Sequence, residues 1–317
     1  MRLRRFLGHG LGAAALLILA NCDDALESSI APQARPSQPQ LANAYVEPSA
    51  ASRDLARYYQ RVERDLLTRG LMRTDGGGPD TPFDADDLAR NFEAIAFYSE
   101  YPGAAVSGSS QRTSGRLSRW SGPVRIQAEF GPSVSPDQRA ADKAQIRAYT
   151  ERMSSLTGHP ISTVTRNANF HVFVAGDDDT EFVQTRLRQL FPSIGQAQLN
   201  LFQDLPRSFY CFVFASASNG APNTYTGAVA LVRAEHPDLM RLSCIHEEIA
   251  QGLGLPNDSP RARPSIFNDD DEFALLTSHD EKLLTMLYDP RLKPGMTAQE
   301  AAPVVRIIAR ELMGQSL

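Results

Sequence analysis

Segments with the two-residue period of strands alternate with helical patterns through the middle of this chain. Residues 123–130 (PVRIQAEF) alternate apolar with polar side chains, which is typical of a half-buried strand. Further strand patterns lie at 169–175, 208–215 and 226–233, and helical patterns lie at 136–157 and near 179–191. The order strand, helix, strand, helix, strand, strand predicts an α/β (α+β) fold, in which a mixed, mostly parallel sheet carries a layer of helices.

Helical patterns also flank this central block. One begins after Asp84 or Asp86, either of which is a candidate cap. Three more are predicted near the C-terminus, at about 242–253, 277–288 and 298–312. Thr297 and Glu300 would form a capping box for the last of these helices. We therefore predict one globular domain over residues 85–317.

The start of the chain has the features of a secretory signal peptide. Arg2, Arg4 and Arg5 precede the apolar run 6–20, which is too short to span a bilayer comfortably as a helix. The run ends in Leu-Ala-Asn-Cys22, similar to the processing signal of bacterial lipoproteins. We therefore predict a signal peptide over residues 1–21 and lipidation of Cys22, with an ordinary cleaved signal as the alternative.

Residues 22–84 are predicted to form a lipidated tether. Residues 23–50 are rich in Pro, Ser, Gln and Ala, so they bury too little apolar surface to offset chain entropy. Residues 52–69 predict a short amphipathic helix, capped by Ser52, that is either outlying or binds a partner. The protein would lie at the periplasmic side of the cell envelope, and Asp23 resembles the inner-membrane retention signal of Gram-negative lipoproteins.

The chain has three cysteines. If Cys22 is the anchor, Cys211 and Cys244 remain as a pair in a compartment that permits disulfides. A bridge between them is the simplest expectation, and two separate buried thiols are the alternative.

The charge of the chain gives no support for a nucleic-acid partner. The formal net charge is −5 and no block of basic residues occurs, so nothing predicts nucleic-acid binding. The membrane, through the lipid anchor, and an envelope protein or peptide remain as candidate partners.

The segment 243–259 (SCIHEEIAQGLGLPNDS) carries the strongest chemical signal. On a helical projection, Glu247 and Gln251 lie opposite the apolar stripe and point out of the core, with Glu248 at the margin of that face. A left-handed turn at Gly254 would bring Asn257 and Asp258 into the same space.

This segment resembles the zinc-binding motif of metzincin peptidases, His-Glu-x-x-His-x-x-Gly-x-x-His. Aligned on its glycine, the chain reads Glu247-Glu248-x-x-Gln251-x-x-Gly254-x-x-Asn257. Downstream, Ser265-Ile266-Phe267-Asn268 resembles the Met-turn, and Leu276-Thr277-x-x-Asp280 resembles the closing helix. From about Leu88 to Leu312 the chain is similar to an uncharacterised family of proteobacterial lipoproteins with such a metzincin-like core.

The resemblance implies a site whose zinc ligands have been replaced. Glu247, Gln251 and Asn257 stand at the three histidine positions, and Glu248 stands at the position of the general base. Neutral amides are weak zinc ligands, so we expect no stoichiometric zinc. Together with Asp258, these oxygen ligands would suit calcium or magnesium better. The alternative is structural: the glutamates favour the helix N-terminus, and Gln251 bonds to Glu247.

The remaining candidate ligands are expected to be structural. His246 is interpreted as a helix-flank residue and His279 as part of a helix start. The aspartate runs 177–179 and 269–271 are read as solvated turns, because the ligand alternation of a calcium loop is missing.

Two functions remain open at this point. The preferred one is a non-catalytic binding protein that keeps a peptidase scaffold and its cleft, since the same fold can occur without the catalytic activity. The alternative is a divergent metal-dependent hydrolase in which Glu248 activates water.

Overall fold

The computed structural model describes residues 45–98, 115–200 and 205–315. The predicted signal peptide and Cys22 lie outside these residues. Within the described ranges, no helix is both long and apolar enough to cross a membrane.

A six-stranded sheet forms the centre of the fold, and its strands run as follows: β1 Arg119–Trp120, β2 Val124–Phe130, β3 Ile161–Thr163, β4 Phe170–Ala175, β5 Cys211–Ser218 and β6 Ala221–Arg233. The order β1-β6-β4-β2-β3 is parallel throughout. β5 is antiparallel to β6, with Cys211 opposite Val232. The prediction of a mixed, mostly parallel sheet is therefore confirmed.

The helices are α1 Ala50–Thr68, α2 Ala85–Ala96, α3 Pro136–Thr157, α4 Thr180–Leu190, α5 Gln196–Asn200, α6 Asp238–Leu253, α7 Ser278–Leu287 and α8 Ala298–Leu312. Asp84 caps α2 in a capping box with Asp87, and Thr297 caps α8 with Glu300 as predicted. Gly158 ends α3 in the left-handed conformation, with φ 64°.

The sheet separates two layers of helices. Ile146 of α3 and Ile249 of α6 belong to the main core on one face of the sheet, together with Phe170 of β4. The opposite face packs Phe173 and Leu231 against Val183 of α4. α2, α7 and α8 pack on one another, and α7 also packs on α3.

α1 was expected either to be an outlying helix or to bind a partner. It is not outlying, because it packs on the main body of the protein. Leu55, Tyr59 and Leu66 form a buried cluster with Met240 of α6. Its cap is Ser49 rather than Ser52, because the Ser49 hydroxyl accepts a hydrogen bond from the Ser52 amide at 3.2 Å. The Ser52 hydroxyl is buried and donates to Glu235 Oε1 at 2.9 Å.

α1 also completes the start of α6. The residue that precedes α6, Pro237, provides no side-chain cap, and the Met240 amide instead donates to Glu63 Oε2 at 3.0 Å. The first amides of a helix lack partners inside the helix, so this contact both satisfies a donor and places negative charge at its positive end.

A disulfide joins Cys211 of β5 to Cys244 of α6, with the two Cα atoms 5.9 Å apart. The predicted pairing is therefore confirmed. It ties the antiparallel strand to the helix that carries the metzincin-like segment.

Candidate functional site

The apolar stripe of α6 sets the direction of its polar side chains. Ile245, Ile249 and Leu253 are buried in the core, which turns Glu247 and Gln251 towards the opposite side, where both are half-buried. α6 stops at Gly254, where φ is 131° and a Cβ atom would lie 2.5 Å from the Ser118 carbonyl oxygen. A glycine is therefore required for the turn that sends the chain back towards the cleft.

A cleft of about 360 Å³ opens beside this polar side of α6. Residues 208–213, leading into and forming β5, line one wall. The loop after α6 supplies another, through Ile266, Asn268, Asp269, Asp271 and Phe273. Leu66 of α1 and Met72 complete the lining, so the segment predicted as a tether contributes to the site.

The structure brings four of the predicted site residues together. Glu247, Glu248, Gln251 and Asp258 all line the cleft. The Gln251 amide nitrogen lies 3.5 Å from Asp258 Oδ1. The turn at Gly254 therefore places Asp258 beside α6, as the sequence indicated.

Asn257 is placed differently and does not line the cleft. Its amide nitrogen donates to the Ala94 carbonyl of α2 and to the Asp258 carbonyl, both at 2.9 Å. Asn257 therefore links the loop after α6 to α2.

Glu248 was expected at the exposed margin of α6, and that expectation is wrong. Its side chain is only 3 % exposed, although it reaches the cleft. Carboxylate oxygens of Glu247 and Glu248 and the Cys211 sulfur lie within 4.8 Å of one another. β5 packs on α6 and brings Cys211 beside the Glu248 carboxylate, a neighbour that a helical projection does not include.

Two aspartates of the cleft were not among the predicted site residues. Asp269 and Asp271 line it. The three aspartates of the run 269–271 are exposed, as expected of a solvated turn. Partial burial, together with the neighbouring Asp270 and Asp269 carboxylates, raises the pKa of Asp271, whose side chain still reaches solvent. Burial and the charge of Asp271 also raise the pKa of Tyr210. The sequence signal for the place of Asp269 and Asp271 in the cleft is that the run 269–271 directly follows the Met-turn-like segment 265–268.

In the other aspartate run, 177–179, Asp177 and Asp178 are exposed as expected of a solvated turn, but that expectation is wrong for Asp179. Asp179 is buried and accepts hydrogen bonds from the backbone and hydroxyl of Ser133, at 2.9 and 2.6 Å. It therefore ties the start of α4 to the loop after β2.

The Met-turn-like segment and the start of the closing-helix-like segment are in direct contact. Asp280 is fully buried and accepts hydrogen bonds from the Ser265 hydroxyl and from the amides of Ile266 and Thr277. The first turn of α7 thus fixes the loop that forms one wall of the cleft.

Neither nearby histidine lines the cleft. His246 is buried, stacks on Tyr149 with ring centroids 4.0 Å apart, and accepts a hydrogen bond from the Leu276 amide at 3.2 Å. Burial, with Arg152 nearby, lowers the pKa of His246 to about 3. His279 is also buried and lies 3.1 Å from the Asn91 amide nitrogen. His246 is therefore a core residue rather than one at a helix flank.

Comparisons with known proteins give a family but no function. Residues 85–307 match the model of the family described as "Protein of unknown function (DUF2927)". No curated protein and no solved structure matches the chain. The family match spans most of the chain and includes α6, β5 and the wall of the cleft, so this chain belongs to the DUF2927 family of proteins of unknown function.

Proposed function

We propose that this protein is an envelope lipoprotein, anchored through Cys22, whose cleft binds an extended and positively charged peptide segment without cleaving it. The observation that carries the proposal is the charge of the cleft. Five carboxylates line it (Glu247, Glu248, Asp258, Asp269 and Asp271), and no Lys, Arg or His is among the described residues that do so. Such a concentration of one charge attracts the opposite charge.

The raised pKa of the Asp271 carboxyl also supports a cationic ligand. The raised pKa of Asp271 reflects partial burial and repulsion by neighbouring carboxylates. A bound ammonium or guanidinium group would relieve that repulsion and favour the ionised carboxyl. An aromatic ring lies beside the acids, since Tyr210 also lines the cleft, and such rings attract cations through their faces.

The position of β5 supports an extended peptide as the carrier of that charge. β6 is the one strand with which β5 pairs in the part of the chain that the structure describes. Cys211 and Val213 of β5 also line the cleft. A peptide can add to a sheet edge through backbone hydrogen bonds while its side chains enter neighbouring pockets.

The residues at the ligand positions argue against zinc hydrolysis. We infer a metzincin-like scaffold in which Glu247 and Gln251 replace two imidazoles, and in which the Asn257 amide donates to backbone carbonyls. The oxygen ligands that line the cleft would suit calcium or magnesium, and zinc prefers nitrogen and sulfur. The proposed role is therefore binding.

Charge variants test the proposal. A short, end-capped peptide with alternating lysines should bind to the purified protein, and the same peptide with glutamates should not. Asp258→Asn should weaken binding of the lysine peptide by about 1 kcal/mol, about fivefold. Glu151→Gln, at an exposed position on α3, is the matched control and should bind like the wild type. Equal binding of both peptides would overturn the proposal.

A second function, metal-dependent hydrolysis with Glu248 as general base, rests on one observation. Glu248 is buried yet reaches the cleft beside Glu247. A carboxylate in such a place is suited to activating water next to a cation. Detection of cleaved peptide after incubation with the protein would distinguish hydrolysis from binding.

A further inference from the structure

We propose that reduction of the Cys211–Cys244 disulfide creates a site for a thiolate-binding divalent cation of the zinc class, made by Cys211, Glu247 and Glu248. This inference goes beyond the proposed peptide binding and does not depend on it. The bridged protein would take no such ion, and the reduced protein would take one.

The geometry of the three side chains supports this site. The Cys211 sulfur and carboxylate oxygens of Glu247 and Glu248 lie within 4.8 Å of one another. A zinc ion about 2.3 Å from a thiolate sulfur and about 2 Å from a carboxylate oxygen brings its ligand atoms to separations shorter than this limit, so small side-chain shifts suffice. The three residues come from β5 and α6, which pack on each other.

The disulfide explains why the ion would bind in one state only. A sulfur in a disulfide carries no negative charge, and the thiolate is the form that binds metals. In the bridged protein the same place offers oxygen ligands, which suit zinc less well. Reduction adds a soft, charged ligand to two carboxylates.

The bridge is open to a reductant. Cys211 and Cys244 both line the cleft, and Cys211 is half-buried. A dithiol would reduce the bridge by two successive thiol–disulfide exchanges. The dithiol supplies two electrons and two protons and becomes a disulfide, while the S–S bond between Cys211 and Cys244 breaks to give two thiols. The cation then displaces the proton of the Cys211 thiol into solvent.

The two cysteines differ in their surroundings, which makes the proposal testable. The Cys244 sulfur is buried and lies 3.8 Å from His236 Nδ1. Only Cys211 belongs to the group with Glu247 and Glu248. We therefore expect Cys211 to bind the ion even when Cys244 is absent.

The experiment titrates cobalt(II) into the full chain, purified in mild detergent and carrying Cys22→Ala to remove the third thiol. Thiolate-to-cobalt charge-transfer absorption and the cobalt bound per chain are measured with and without a dithiol, which is removed before titration under anaerobic conditions. The variants are Cys244→Ser, Cys211→Ser and Glu247→Gln, and circular dichroism reports the fold of each.

The expected results separate the two cysteines. Oxidised protein should give no charge-transfer band, and reduced protein should give the band with one cobalt per chain. Cys244→Ser should give it without any reductant, Cys211→Ser should not give it in either state, and Glu247→Gln should bind about tenfold or more weakly. The proposal is overturned if reduced protein that keeps its circular dichroism shows no band. It is also overturned if Cys211→Ser gives the same band as Cys244→Ser.

Discussion

The Ser265 hydroxyl donates a hydrogen bond of 2.5 Å to Asp280 Oδ1, both residues being buried. Thr277 donates to the other oxygen, Oδ2, through its amide and its hydroxyl, at 3.0 and 2.8 Å. One carboxylate thus joins the start of α7 to the loop that lines the cleft. The shape of the cleft therefore depends on Asp280, a residue that does not line it.

Removing this carboxylate should be strongly destabilising. In Asp280→Ala the Ser265 hydroxyl and the amides of Ile266 and Thr277 lose their acceptor inside the core. Leaving buried donors unsatisfied costs about 1 to 3 kcal/mol each, so we expect a loss of about 3 kcal/mol or more in the free energy of unfolding. Urea denaturation measures it. Ser265→Ala removes one donor to Asp280 and also the acceptor of the Phe267 amide, so it should cost less than Asp280→Ala, about 1 to 2 kcal/mol. Equal losses in the two variants would contradict this assignment.

The disulfide should contribute through the unfolded chain. Cys211 and Cys244 are 33 residues apart, and closing a loop of this size restricts the denatured ensemble by about 3 to 4 kcal/mol. The double variant Cys211→Ala, Cys244→Ala should lose about that much in urea denaturation. Intact mass with and without reductant provides the direct check. Two alkylatable thiols in protein taken from the periplasm would show that no bridge forms there.

Stability should fall on mild acidification because two histidines are buried in their neutral form. Burial, with Arg233 and Arg241 nearby, lowers the pKa of His236 to about 3, and His246 has a similar value. The unfolded chain takes up these protons near pH 6.5, so it is favoured as the pH falls from 6.5 towards 3. Above 6.5 the effect is absent.

Each of these histidines should cost about 1.4 kcal/mol per pH unit within this window. The measurement is urea denaturation at pH 7, 6 and 5. His236→Phe keeps a ring against Tyr59 and removes one titrating group, so it should flatten the dependence by about half. An unchanged slope in this variant would count against a neutral, buried His236.

Lipidation of Cys22 is tested by metabolic labelling. Labelled palmitate should enter the wild type and be absent from Cys22→Ala, and the wild type should sediment with membranes. Equal labelling of both proteins, or none in the wild type, would refute the anchor.

Much of the fold could be predicted from local patterns. The alternation in 123–130 and the caps at Asp84 and Thr297 are set by residues adjacent in sequence. The packing of α1 on the rest of the protein could not be predicted, because an amphipathic pattern does not show which surface the helix contacts. Its contacts with Met240 and Glu235 join residues that are far apart in sequence.

The site was predictable only in part, for a similar reason. Helical periodicity placed Glu247 and Gln251 on one face, and the Gly254 turn brought Asp258 to them. Glu248 is buried, with Cys211 of β5 beside its carboxylate, and no helical projection includes the position of that strand. Asp271 joined the site through the path of a loop, which local sequence does not determine.

The central claim is that the cleft binds a cationic peptide without hydrolysing it. The most direct measurement incubates the lysine peptide with wild type and with Glu248→Gln, and then determines bound and cleaved peptide in the same sample by mass spectrometry. We expect the wild type to bind the peptide and to release it intact, with no product in either sample. Cleavage by the wild type that is abolished in a folded Glu248→Gln would contradict the claim and identify a hydrolase.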